Sequence, residues 1–137
     1  MSKERTVEVD IRYHKNGNKR CEIPYLNGKA HGLARFWHEN GRLYIESNWI
    51  NGKQHRFTRF WHENGRLHRE VNYKNGQMHG IRRVWGNSGS FCNFELLQKD
   101  ILVFEFWFKC ESKATAPKPD QLMFSTNQFL ELCQKKL

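Results

Sequence analysis

One block of this chain returns at an unvarying interval. Asn27-Gly28-Lys29-Ala30-His31-Gly32 recurs as Asn51-Gly52-Lys53-Gln54-His55-Arg56 and again as Asn75-Gly76-Gln77-Met78-His79-Gly80, a period of 24 residues. Between these, Arg35-Phe36-Trp37-His38-Glu39-Asn40-Gly41-Arg42-Leu43 is repeated as Arg59-Phe60-Trp61-His62-Glu63-Asn64-Gly65-Arg66-Leu67. A fixed period of this length dictates a repeat architecture, in which no unit buries its apolar face until a neighbour covers it.

The repeat is read as hairpins. Asn-Gly occurs six times, with steps of 11, 13, 11, 13 and 11 residues, so its glycines are Gly17, Gly28, Gly41, Gly52, Gly65 and Gly76. Asn-Gly between alternating segments signals a tight hairpin turn, because both residues accept positive φ. Two alternating steps imply two kinds of turn, one at each end of a strand pair. Between turns, Leu43, Ile45, Ser47 and Trp49 alternate with Tyr44, Glu46 and Asn48, the period of a strand. A two-residue Asn40-Gly41 loop places Trp37 opposite Tyr44, Arg35 opposite Glu46 and Arg59 opposite Glu70; a three-residue Glu-Asn-Gly loop shifts that register.

These readings predict an all-β protein. The fold is an extended single antiparallel sheet of stacked hairpins, about four and a half repeats, with a short C-terminal helix. Val7, Val9 and Ile11 open the sheet. Near its other end, Gln98-Lys99-Asp100 replaces Asn-Gly, as suits a terminal repeat. The repeat domain covers 1–110, a linker with Pro117 and Pro119 covers 111–120, and an amphipathic helix over 121–137 packs on the last strands. Ile101 to Phe108 is apolar on both faces and needs that cover. Dimerisation through this C-terminal end is a further expectation.

The formal charge is +9, which favours weak attraction to polyanions. The cysteines, Cys21, Cys92, Cys110 and Cys133, form no Cys-x-x-Cys pair and read as reduced thiols of an intracellular, cytoplasmic protein. No apolar stretch follows the charges of the N-terminus, and no run is long enough to span a bilayer.

Catalytic and cofactor chemistry finds little footing. Six histidines fall in two rows, His14, His38 and His62, and His31, His55 and His79. Equivalent residues sit two strands apart, roughly 9.5 Å, too far to share a metal. His62 and His68 flank one turn, without a carboxylate or thiol beside them. There is no nucleophile motif, no phosphate-cradling glycine loop and no expected cofactor. Arg35, Arg59 and Arg83 instead form a row, with Trp37, Trp61 and Trp85 two residues on. These six make the candidate interaction face, and Glu46 and Glu70 are placed to pair with its arginines.

The pattern Asn-Gly-Lys-x-His-Gly, aromatic pair, Glu-Asn-Gly-Arg-Leu, strand, Asn-Gly resembles the MORN repeat, most of all the short variant of bacterial antitoxin-like proteins and some large DNA viruses. The resemblance covers roughly Tyr13 to Gly89. The family's usual glycine after the turn stands at Gly32 and Gly80 but is Arg56 in the middle unit, which leaves the local backbone there open. The resemblance implies a non-catalytic scaffold for a protein partner. Its alternatives are a peripheral binder of anionic phospholipid or nucleic acid through the Arg/Trp rows, and an antitoxin-like protein that neutralises a toxin.

Overall fold

The computed structural model of the protein describes residues 4–107, with backbone alone for Phe91, Phe106 and Trp107. These residues form one antiparallel sheet of ten strands: β1 (Val7–Tyr13), β2 (Lys19–Leu26), β3 (Lys29–Ala30), β4 (Gly32–Trp37), β5 (Leu43–Ile50), β6 (Lys53–Trp61), β7 (Leu67–Lys74), β8 (Gln77–Trp85), β9 (Phe91–Gln98) and β10 (Ile101–Trp107). Strands neighbour one another in chain order, except that β3 and β4 both lie along β2. The described residues contain no helix. The expected linker over 111–120, the helix over 121–137 and dimerisation through that end lie outside them.

Two turn types do alternate. Asn27, Asn51 and Asn75 have φ of 50, 49 and 52°, and the glycines after them 75, 81 and 81°. That is the type I′ pattern, and it sets Ile50 opposite Lys53 and Lys74 opposite Gln77. Lys99-Asp100 adopts the same turn with φ of 49 and 66°, so the lost Asn-Gly does not interrupt the architecture. At the other end the loop holds three residues. His38 accepts from the amide of Gly41 at 3.0 Å and donates to the carbonyl of Arg42 at 2.8 Å, and His14, His62 and Gly86 do the same in their turns. This is a type I turn closed by a left-handed glycine.

The three-residue loop corrects one expected pairing. Trp37 lies opposite Leu43, not Tyr44, and Trp61 lies opposite Leu67. Tyr44 and His68 are extra residues in small bulges, after which Arg35 meets Glu46 and Arg59 meets Glu70 as expected. Arg20 and Cys92 occupy the equivalent bulges. Cys21 is buried as a free thiol, whereas Cys92 is disulfide-bonded. The reading of four reduced thiols is therefore corrected at Cys92, a bulge residue released from the regular strand alternation. Cysteine chemistry no longer argues for a reducing compartment.

A second irregularity also recurs. Ser47 pairs with Thr58 and Trp49 with Gln54, leaving His55-Arg56-Phe57 opposite Asn48 alone. Likewise His79-Gly80-Ile81 faces Asn72. The chain makes this detour with positive φ at Gly32 (108°), Arg56 (64°) and Gly80 (87°). Arg56 thus keeps the backbone conformation that glycine holds in the flanking units.

The core is thin because a single sheet supplies it. Ala34, Ser47, Thr58 and Val71 stand side by side across β4 to β7, each no more than 2% exposed. Side chains two residues away share their face, so Phe36, Ile45, Trp49, Phe60 and Tyr73 flank this row of small residues and cover it. The Trp49 indole donates to Ser47 Oγ at 2.8 Å, and Gln54 Nε2 donates to Thr58 Oγ1 at 3.4 Å, which satisfies the buried hydroxyls.

Successive repeats are locked at both edges. The His14, His38 and His62 Nε2 atoms lie 2.8, 3.2 and 3.1 Å from the carbonyls of Trp37, Trp61 and Trp85. Asn40 Oδ1 accepts from Arg42 N within its own turn while its Nδ2 donates to Glu63 O in the next. Asn16 and Asn64 are used the same way, bonding to Glu39 O and Asn87 O. Along the opposite edge, the amides of Gly52 and Gly76 donate to Ala30 O and Gln54 O, both at 2.8 Å. Much of the conserved-looking spacing within the chain is spent on these links.

Candidate interaction face

The strand register sets Glu22, Arg35, Glu46, Arg59, Glu70 and Arg83 side by side across β2 and β4 to β8, on the face opposite the small-residue row. The signs alternate at every step, so each neighbour attracts. Arg35 Nε donates to Glu46 at 3.0 Å and Arg59 Nε to Glu70 at 2.8 Å, while Arg83 reaches the other Glu70 oxygen at 2.9 Å. Glu70 therefore holds two arginines, and its side chain is only 12% exposed. At the end of the row Lys19 donates to Glu22 at 2.8 Å, which holds the carboxyl below its ordinary range. The three candidate arginines do share one row, but each is engaged by a glutamate.

The tryptophans serve structure as well as surface. Trp37, Trp61 and Trp85 are half-buried, and their carbonyls receive the histidine links described above. Lys19 Nζ lies 5.3 Å from the Trp37 ring centroid, a cation–π contact on the same face as its Glu22 partner. Near the turns, Trp37, His14, His38 and Tyr44 line a hollow of about 630 Å³. The large exposed apolar groups on the charged face are different residues, Ile50 and Phe57 on β5 and β6, Ile101 on β10, and Val7, Val9, Ile11 and Tyr13 on β1. Sequence reasoning passed over Ile50, which pairs with Lys53 beside a turn read for its backbone, and Phe57, which lies within the detour at Arg56 that only the backbone reveals.

The histidines are spread along the edges. His62 and His68 do approach, with ring centroids 4.3 Å apart, and His38 packs against Tyr44 in the same place one repeat earlier. Burial, the neighbouring His62 and Arg69 lower the His68 pKa. Among the described residues no three His, Cys, Asp or Glu side chains gather as metal ligands.

The excess positive charge sits elsewhere. Lys29, Lys53, Arg56, Lys74 and Lys99 are exposed along the type I′ turn edge. The one carboxylate in those turns, Asp100, accepts from the amide of Met78 at 2.7 Å. No helix among the described residues is long and apolar enough to cross a membrane.

No curated protein and no solved structure matches this chain. Two of its segments, 30–51 and 58–75, match the family model described as the MORN repeat variant. Each begins in or beside the strand after a type I′ turn and runs through the next three-residue turn into the strand that pairs with it. Those matches fall on units that the hairpin geometry delimits, and these two segments of the chain are repeats of the MORN type.

Proposed function

We propose that this protein is a non-catalytic interaction module whose charged face receives a protein partner. MORN repeats are in general binding modules. The observation that carries the reading is the alternating ladder from Glu22 to Arg83. A polyanion binding there would have to displace glutamates already bonded to the arginines, whereas a protein surface can match a row of alternating signs. Ile50 and Phe57, exposed on the same face, add the apolar contact that protein interfaces use at their centres. The antitoxin-like role is this same reading with a toxin as the partner, and no described residue singles one out.

A second reading has its own observation. The rim of Lys29, Lys53, Arg56, Lys74 and Lys99, which makes no ion pair among the described residues, offers positive charge to an anionic lipid surface or nucleic acid, away from the Arg/Trp rows named from sequence. Capture from native lysate separates the two. Partners retained at high salt and lost in Phe57→Ser support the protein reading. Capture that fades with salt and with glutamine replacing the rim lysines supports the second, since phosphate contacts weaken by about one log unit per log unit of salt each.

A further inference from the structure

We propose that β1 is a self-association edge, at which two copies of this chain join into one continuous sheet about a two-fold axis through Ile11. β1 ends the strand order, so among the described residues its outer side has no neighbour. Val7, Val9, Ile11 and Tyr13 share one face and are 71, 52, 43 and 62% exposed. Thr6 exchanges hydrogen bonds with Asn27, through the Asn27 amide at 2.9 Å and the Asn27 side chain at 3.1 Å. Antiparallel alternation then turns the backbone groups of Val7, Val9, Ile11 and Tyr13 outward. Such an edge is a template for another strand, and proteins normally blunt it with charged side chains, proline or a bulge. Here no proline interrupts Val7 to Tyr13, and its charges, Glu8, Asp10 and Arg12, are of both signs, so they can pair across a two-fold axis as well as repel.

The charges on β1 choose the partner and the register. With the axis at Ile11, Asp10 faces Arg12 of the second copy, Arg12 faces its Asp10, and Glu8 faces its His14. Every polar pair is complementary. On the other face Ile11 meets Ile11, and Val9 meets Tyr13. An axis at Val9 would oppose Glu8 to Asp10, one at Asp10 would oppose two aspartates, and one at Arg12 two arginines. Within the monomer Arg12 already reaches Asp10 at 2.8 Å, so in the pair these four side chains form a closed network. The pairing adds about six backbone hydrogen bonds from Val9, Ile11 and Tyr13 of both copies. Such a contact is isologous and closes at two. It doubles the repeat surface without using the Arg/Trp rows, and it stands or falls apart from the partner reading.

Sedimentation velocity over a concentration series tests this on the full chain. The native protein should show a reversible monomer–dimer equilibrium. Asp10→Arg should weaken it by roughly tenfold to a hundredfold, because like charges then meet twice across the axis. Asp10→Arg with Arg12→Asp should restore it, and Ile11→Lys should abolish it. Circular dichroism confirms that each variant is folded, as expected for exposed side chains. A native monomer at every concentration overturns the proposal. So does a dimer indifferent to Asp10→Arg, or open-ended polymers, which would mean β1 pairing with the opposite sheet edge.

Discussion

Position 56 offers a test in which gaining a glycine should stabilise one repeat, while losing the equivalent glycine destabilises its neighbours. Arg56 holds φ of 64°, where Gly32 and Gly80 hold 108 and 87°. A left-handed conformation costs a residue with a Cβ about 1–2 kcal/mol, while glycine loses about 0.5–1 kcal/mol more chain entropy on folding. Arg56→Gly should therefore stabilise the protein by about 0.5–1 kcal/mol, the difference of those terms. The same difference makes Gly80→Ala destabilising by about 0.5–1 kcal/mol, because its Cβ would meet only the movable end of Asn72, at 3.2 Å. At Gly32 the Cβ would lie 3.2 Å from Cγ of Pro24, whose ring cannot swing away. Gly32→Ala should then lose about 1–2 kcal/mol, strain and overpacking together. Thermal unfolding reads these as shifts of roughly 3–6 °C per kcal/mol for a chain of this size. Arg56→Gly matching the native midpoint, with both alanine variants neutral, would refute the shared positive-φ detour.

Other expectations follow from the same geometry. Asn40→Asp keeps the acceptor for Arg42 N but sets a carboxylate oxygen against Glu63 O, so chemical denaturation should show a loss of about 1–2 kcal/mol; an unchanged midpoint would deny the turn-to-turn link. Glu70→Gln should cost more than Glu46→Gln, about 1–2 against about 0.5 kcal/mol, since Glu70 serves two arginines. A double-mutant cycle with Arg83 measures the coupling. The folded state holds the His68 pKa below its ordinary 6.5, so the unfolded chain binds the extra proton first as pH falls. Stability should thus decline on acidification from about 6.5 downward. His68→Tyr, which copies the His38–Tyr44 contact, should flatten that slope, and an unaltered slope would exonerate His68.

The sequence showed the turns and the ion pairs because both are written in residue types at fixed spacing. Glu46 and Glu70 could be matched to Arg35 and Arg59 before any geometry was known. The bulges at Tyr44 and His68 were not legible, for an arithmetical reason. A two-residue loop without a bulge and a three-residue loop with one both bring Arg35 to Glu46. They differ only beside the turn, where Trp37 and His38 change partners and no ion pair reports the choice. The detour at Arg56 had a signal, the glycines at equivalent positions, but not a geometry. On the candidate face, the arginine row was legible and its neutralisation half so, since the sequence names the glutamates without saying that Glu70 takes both Arg59 and Arg83. The basic rim was missed because its lysines belong to turns, which were read for backbone and not for charge.

The central claim is that everything positioning this face repeats every 24 residues, and removing one period tests it most directly. Deleting residues 51–74 joins Ile50 to Asn75, so β5 should run through a type I′ turn into β8. Glu46 would then meet Arg83, Ser47 would meet Arg82, and His38 would reach the carbonyl of Trp85. The account predicts a cooperatively unfolding β protein of somewhat lower stability, as for any repeat array shortened by one unit. A deletion one residue shorter, 51–73, should fail, because a slip of one residue sends each side chain to the wrong face. If both deletions unfold alike, or both fold alike, the repeat register described here is wrong.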